Sequence, residues 1–282
     1  MRCWLLGLIH QSAKEIVPEQ NEVTRLACLE LKGGNEHARY AVELPGLVAW
    51  VFCRPITPAI RGGDLHYLSV CSQGFVSRIA LADVAGHGEY VAGVADRLRD
   101  VLRQHSDAWD QSDVVRELND AFLAGATKFE YATAFVLGHY SGSGEIVFTN
   151  AGHKPPLWYH ARERMWSFLL ESTPYAKEVA DLPIGLIAGT PYSQTAVQLE
   201  VGDMVVLYTD GITESNDPAG EQLDKEGLLA LARNMMFASP VEAGEALLAG
   251  VEAYRGAGPA ADDETLIVLQ RSPSTSDEPW PR

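Results

Sequence analysis

F-V-S-R-I-A-L-A-D-V-A-G-H-G-E-Y-V-A-G-V-A-D-R-L-R-D-V-L-R-Q-H, residues 75–105, changes its hydrophobic period partway along. From Phe75 to Ala82 the run reads as a strand. From Gly88 to His105 the apolar positions are Val91, Val94, Leu98, Val101 and Leu102, the spacing of one helix face. Asp96, Arg97, Arg99, Asp100 and Arg103 mostly fall on the other face. Between the two lies Asp83-Val84-Ala85-Gly86-His87-Gly88, a strand-to-helix turn whose glycines let backbone groups approach a ligand closely. The helix start that follows favours an anion. His87, set between glycines, reads as exposed, either a helix-start histidine with no chemical role or a proton donor.

Working outward, a second helix fits Asp113 to Lys128, with Val114, Leu118, Ala121 and Phe122 inward and Ser112 as its cap. Upstream, Glu22 to Leu31 reads as a strand, Lys32-Gly33-Gly34-Asn35 as a turn, and Gly46 to Arg54 and Leu65 to Cys71 as strands. The break Ser72-Gln73-Gly74 suggests a hairpin into the opening strand. Downstream, strands are expected at Tyr131–His139, Glu145–Thr149, Pro155–Tyr159, Arg164–Leu169, Thr195–Leu199, Met204–Thr209 and Thr265–Gln270, with residues 171–194 irregular. Two more helices fit Leu223 to Phe237 and Val241 to Tyr254. Helices in pairs against hairpin-rich strands point to an α+β fold: two antiparallel sheets face to face, each covered by a helix pair.

Composition bounds the function. With 46% hydrophobic and 21% charged residues in 282, the chain is ordinary globular, neither disordered, collagenous nor coiled coil. The apolar run Cys3–Ile9 is seven residues long, against about 20 for a membrane span, and no small-residue cleavage site follows it. A net charge of −16 argues against nucleic acid and anionic membrane surfaces and favours divalent cations. Cys3, Cys28, Cys53 and Cys71 form no C-x-x-C pair, so reduced cysteines in a cytoplasmic protein are expected.

Four places share one feature, an Asp at the edge of an apolar strand beside glycine or a second Asp. They are Gly62-Gly63-Asp64 before a strand, Leu81-Ala82-Asp83 after one, Thr209-Asp210-Gly211 after one, and Asp262-Asp263 before the last. Each alone reads as a turn or bend. Gathered at one sheet edge, the carboxylates would repel by several kcal/mol at low dielectric. Divalent cations resolve that conflict, and hard oxygen ligands without Cys or His spacing point to Mg²⁺ or Mn²⁺.

Together these segments resemble the metal-dependent protein serine/threonine phosphatases of type 2C. They are most similar to the bacterial branch typified by the stage II sporulation phosphatase E and the stress-response sigma-factor regulators. The matching stretches are E-L-P-G-L (43–47), R-G-G-D (61–64), L-A-D-V-A-G-H-G (81–88), A-T-A-F-V (132–136), F-T-N-A-G-H-K-P-P-L (148–157), L-P-I-G-L (182–186), E-V-G-D-M-V-V-L-Y-T-D-G-I-T-E-S (200–215) and D-D-E-T-L-I-V-L (262–269). The resemblance implies a four-layer αββα sandwich with two Mn²⁺ or Mg²⁺ ions at one edge of the sheets. It implies that Asp83 bridges the ions, that Asp64 and the Val84 carbonyl serve one, and that Asp210 and Asp262 hold the other, with Asp263 in reserve for Asp262. Leu65-His66-Tyr67 after G-G-D and Glu89 after G-H-G depart from the family pattern and bear on substrate fit and regulation.

The expected activity is hydrolysis of phosphoserine or phosphothreonine on a signalling protein resembling an anti-sigma antagonist, with a metal-activated water as nucleophile. No C-x5-R motif offers a cysteine nucleophile. Asp83 and His87 are the catalytic candidates. Gly86, Gly88, Asn150, His153 and Lys154 are the candidates for the substrate loops, Asn150 and His153 also being suited simply to fix their loop by hydrogen bonds. The alternatives are a partner-binding module that keeps the fold without catalysis, and a small-molecule phosphoesterase. Residues 1–40 read as an extension packed on the domain, 41–271 as the phosphatase-like domain and 272–282 as a disordered tail, with regulation by a separate protein and no nucleic-acid partner.

Overall fold

The computed structural model describes residues 23–86, 89–125, 131–169 and 181–273. In chain order these form β1 (Thr24–Arg25), β2 (Leu31–Glu36), β3 (Ala38–Leu44), β4 (Leu47–Arg54), β5 (Arg61–Val70), β6 (Val76–Val84), α1 (Glu89–Gln104) and α2 (Gln111–Gly125). Then follow β7 (Ala132–Tyr140), β8 (Glu145–Ala151), β9 (Leu157–His160), β10 (Met165–Phe168), β11 (Thr195–Gln198) and β12 (Met204–Tyr208). The chain closes with α3 (Asp210–Thr213), α4 (Asp224–Arg233), α5 (Pro240–Arg255) and β13 (Glu264–Arg271).

The strands pair in two sheets. One runs β1-β3-β4-β13-β12-β9-β10 and the other β11-β8-β7-β6-β5-β2. Alternation along each strand decides what faces what. Leu81 and Ile79 of β6, Leu68 of β5, Phe135 and Leu137 of β7, Val51 of β4, Leu207 of β12 and Ile267 of β13 meet between the sheets. Their neighbours point outward. Ala80, Ala82, Tyr67 and Val136 pack under Val94 and Leu98 of α1 and Val114, Leu118 and Phe122 of α2. Trp50, Val206, Leu266 and Val268 pack under Leu228, Leu247 and Val251 of α4 and α5. The result is a four-layer αββα sandwich, as the hydrophobic periods predict.

The structure corrects several local readings. The first sheet is not wholly antiparallel, because β1 runs parallel to β3. Residues 22–31 are not one strand: the chain leaves β1 after Arg25, and Leu29 takes a positive φ of 65°. Lys32–Asn35 lies in β2 instead of a turn, Gly33 allowing close approach to the β5 backbone at His66. Ser112 sits inside α2; the cap is Asp110, whose Oδ1 accepts from the backbone N–H of Ser112 at 2.8 Å and of Asp113 at 3.1 Å. Asp64 and Asp83 lie within β5 and β6, not beyond their ends, because the ladder carries on through them with Asp64 opposite Asp83. Among the described residues no helix is long and apolar enough to cross a membrane.

Candidate metal centre

The inner face of the sandwich does not stay apolar to its end. Continuing the period of two past Leu68 toward the start of β5 reaches Asp64, and past Leu81 toward the end of β6 reaches Asp83. The same step takes β12 from Leu207 to Thr209 and β13 back from Ile267 to Thr265. One end of the inter-sheet core is thus polar, and both sheets contribute to it.

Asp64 is buried at 2% exposure. Its Oδ2 accepts from the Thr209 hydroxyl at 2.8 Å and the Thr265 hydroxyl at 2.7 Å. Burial and the charge of Asp83 push its carboxyl well above the usual range, and the two hydroxyls pull it back. Burial, then the charges of Asp210 and Asp262, a hydrogen bond shared with Asp210 and the charge of Asp263, push Asp83 up to about 8. Glu214, one turn after Asp210, is raised by burial, Asp210 and Asp262, and is lowered by Lys154. Carboxylates that raise one another in this way are the donor set that a hard divalent cation stabilises, so the residues fit Mn²⁺ or Mg²⁺. Among the described residues no three His, Cys, Asp or Glu side chains are yet placed to hold a metal ion together. Asp64 gives one oxygen, Oδ2, to its threonines, and Asp263 is otherwise engaged.

Asp263 is buried, with Oδ1 accepting from Ile56 N–H at 2.7 Å and Oδ2 from Gly63 N–H at 2.6 Å. It therefore ties the start of β13 to the start of β5. Asp262 is half-buried, and its Oδ1 accepts from Asp263 N–H at 2.8 Å. Two glycines make the approaches of Asp263 possible: a Cβ on Gly62 would collide with the Asp263 carboxylate, and one on Gly211 with the Asp263 carbonyl oxygen. Asp210-Gly211 and Asp262-Asp263 thus lie backbone to backbone, which the sequence could not reveal.

The N-A-G-H-K loop closes on itself. Asn150 Oδ1 accepts from His153 N–H at 2.8 Å, and Asn150 Nδ2 donates to the His153 carbonyl at 3.1 Å. His153 Nδ1 lies 2.8 Å from the hydroxyl of Thr133, the residue opposite Asp83 across the β6–β7 ladder. Burial pushes His153 down to about 4, so the ring is neutral at neutral pH. Lys154 is half-buried, and its charge reaches both His153 and Glu214. Gly86 is exposed with φ +108°. His87 and Gly88 lie outside the described residues. Thr133, Thr209, Glu214 and Thr265 escaped the reading of the motifs as carboxylate sites; the register of the three threonines with the inner face was available as a signal, while Glu214, the residue that caps α3, offered none.

The family profile described as Stage II sporulation protein E (SpoIIE) matches residues 75–272. Over 197 residues the chain is 27% identical to the phosphoserine phosphatase RsbU of Bacillus subtilis (strain 168), covering 68% of this chain and 55% of RsbU. The chain thus spans little more than half the length of that curated relative. The SiaA-PP2C domain of Pseudomonas aeruginosa has the same fold, with a TM-score of 0.67 at 19% identity over 79% of this chain and 85% of its own. RsbX, solved in complex with magnesium, matches with a TM-score of 0.60 at 16% identity over 83% of this chain and all (100%) of its own. Since the profile starts at the strand-to-helix stretch and runs through Asp262 and β13, the chain belongs to the stage II sporulation protein E (SpoIIE) family.

Proposed function

We propose that this chain is a metal-dependent protein phosphatase that hydrolyses phosphoserine or phosphothreonine on a cytoplasmic signalling protein. The observation that carries the reading is the convergence of four aspartates at the polar end of the inter-sheet core: Asp64 lies opposite Asp83 across β5 and β6, and Asp210-Gly211 packs on the Asp262-Asp263 backbone close enough for its charge to raise Asp83. In this reading Asp83, Asp210 and Asp262, together with Asp64 and the Val84 carbonyl, would hold two Mn²⁺ or Mg²⁺ ions. When bound, such ions lower the pKa of water toward neutrality and offset charge on phosphoryl oxygens. Asp263 acts as a clamp on the β5 start and not as a ligand. Asn150 fixes the loop that presents Lys154, whose positive charge beside the acidic rim suits a phosphoryl oxygen of the substrate. His153, buried and neutral, orients Thr133 and is not the acid for the serine leaving group. The name of RsbU as a phosphoserine phosphatase supports the choice of a serine phosphate, and regulation by a separate protein is part of the same proposal.

Asp83→Asn and Asp210→Asn are each expected to reduce Mn²⁺-dependent hydrolysis of a phosphoserine peptide to background, as is excess chelator on the wild type. Turnover near the wild-type rate in both variants would reject the reading. Metal binding without turnover on any phosphoprotein would favour the non-catalytic binding module. Selective turnover of small phosphate esters over phosphopeptides would favour a small-molecule phosphoesterase.

A further inference from the structure

Thr209 and Thr265 stand in motifs already quoted, T-D-G and D-D-E-T, yet neither has a role there. Both are fully buried at 0% exposure. Thr265 lies in β13 and Thr209 directly follows β12, its neighbour in the same sheet, and their hydroxyls reach Asp64 in the other sheet. The hydrogen bonding fixes where one of the hydroxyl protons goes. Thr265 N–H donates to Thr209 Oγ1 at 2.9 Å, which occupies an acceptor position on that oxygen. The Thr209 proton is then directed to Asp64 Oδ2, giving a one-way relay from the β13 backbone through a hydroxyl to the carboxylate. The Thr265 hydroxyl donates to the same Oδ2 at 2.7 Å. Thr209 N–H, in turn, bonds to the Thr265 carbonyl at 3.1 Å, so the two threonines are held to each other by backbone as well.

The consequence is asymmetric. Both donated protons fall on Oδ2, which saturates that oxygen and leaves Oδ1 as the oxygen to face a cation. A carboxylate oxygen held by two hydroxyl donors, one on each of two adjacent strands' ends, is fixed in orientation. We infer that Thr209 and Thr265 are positioning residues that orient Asp64 for one-oxygen coordination of a divalent cation, through a two-hydroxyl clamp spanning the two sheets. The inference rests on the reading of Asp64 as a ligand. Partners of this kind, bonded to a ligand and not to the metal, commonly set metal affinity by about 10–100-fold.

The test is Mn²⁺ and Mg²⁺ titration calorimetry on the full chain, compared across Thr209→Val, Thr265→Val, Thr209→Ser, Thr265→Ser and Asp64→Asn, with circular dichroism as the check on folding. Valine keeps the shape and deletes the donor; serine keeps the donor. Each valine variant is expected to bind one cation about 10–100-fold more weakly, and each serine variant within about threefold of the wild type. Valine variants that fold and bind both cations as the wild type does, while Asp64→Asn is weakened, would overturn the clamp alone. Wild-type binding by Asp64→Asn would instead overturn the ligand reading beneath it. Serine variants as weak as the valines would assign the effect to packing and overturn the clamp. Should the valine variants not fold, proton magnetic resonance of the wild type decides. Two slowly exchanging threonine hydroxyl protons that shift on Mg²⁺ addition are expected, and their absence or indifference to Mg²⁺ would overturn the proposal.

Discussion

At the scale of single residues, neighbouring aspartates divide their labour. Asp262 and Asp263 are adjacent and chemically identical, and the difference between them is one of direction. Asp263 points back to two amides, Ile56 N–H and Gly63 N–H, one on each of its oxygens. An amide side chain has one acceptor oxygen, so Asp263→Asn leaves one buried N–H facing another donor. The expected cost is about 1–3 kcal/mol of stability without any metal present, read from urea unfolding in chelator. Asp262→Asn, in contrast, should leave metal-free stability within about 0.5 kcal/mol and act on cation binding. The strand-edge reading left the two together and the family resemblance put Asp262 first; the sequence itself could not separate them, because the choice depends on amides more than 190 positions away in the chain.

At the scale of elements, the strand-to-helix stretch was legible because two periods change within it, and period follows directly from backbone geometry. Ends were less so. α2 begins at Gln111, two residues earlier than a Ser112 cap suggests, because Asp110 offers a carboxylate to two amides and to the Ser112 hydroxyl at once. Asp110→Ala is expected to cost about 1 kcal/mol in thermal or urea unfolding with cation affinity unchanged. The junction of α3 and β13 is tighter. In Gly211→Ala the new methyl would meet the Asp263 carbonyl, so α3 must shift against β13. We expect a loss of about 1–3 kcal/mol and, since Asp210 is the first residue of α3, a fall in Mn²⁺-dependent turnover larger than the stability loss explains. Steady-state kinetics at saturating Mn²⁺ and at a temperature where the variant is fully folded measures it.

Across the whole molecule, the price of a well-filled sandwich is buried polar groups far from the metal centre. His139 continues the inner face of β7 beyond Phe135 and Leu137 and is 0% exposed, with only the Pro45 backbone near enough to favour its protonated form. Burial, with the Arg271 charge, pushes it down to about 4. The unfolded ring titrates near 6.5, so the unfolded chain takes up the proton first as pH falls. The neutral ring's contribution is whole above about 6.5 and is lost progressively toward 4, by about 3 kcal/mol at most. Urea unfolding from pH 7 to 4.5 should show that decline, and His139→Leu should remove about one proton from the slope while the other buried histidines keep theirs.

What the sequence determined by itself was the alternation of periods, hence four layers, and the presence of hard oxygen donors in strand-edge motifs on a strongly acidic chain. These are local properties: period is read within a few residues, and charge is a sum. What only the tertiary structure decided was which donors meet and what holds them. Asp64 reaches Thr209 and Thr265, and Asp263 reaches Gly63, across separations of 145, 201 and 200 residues. Those contacts arise because β5 and β6 of one sheet end over β12 and β13 of the other. That stacking is a product of burying two apolar faces against each other, and no run of neighbouring residues encodes it.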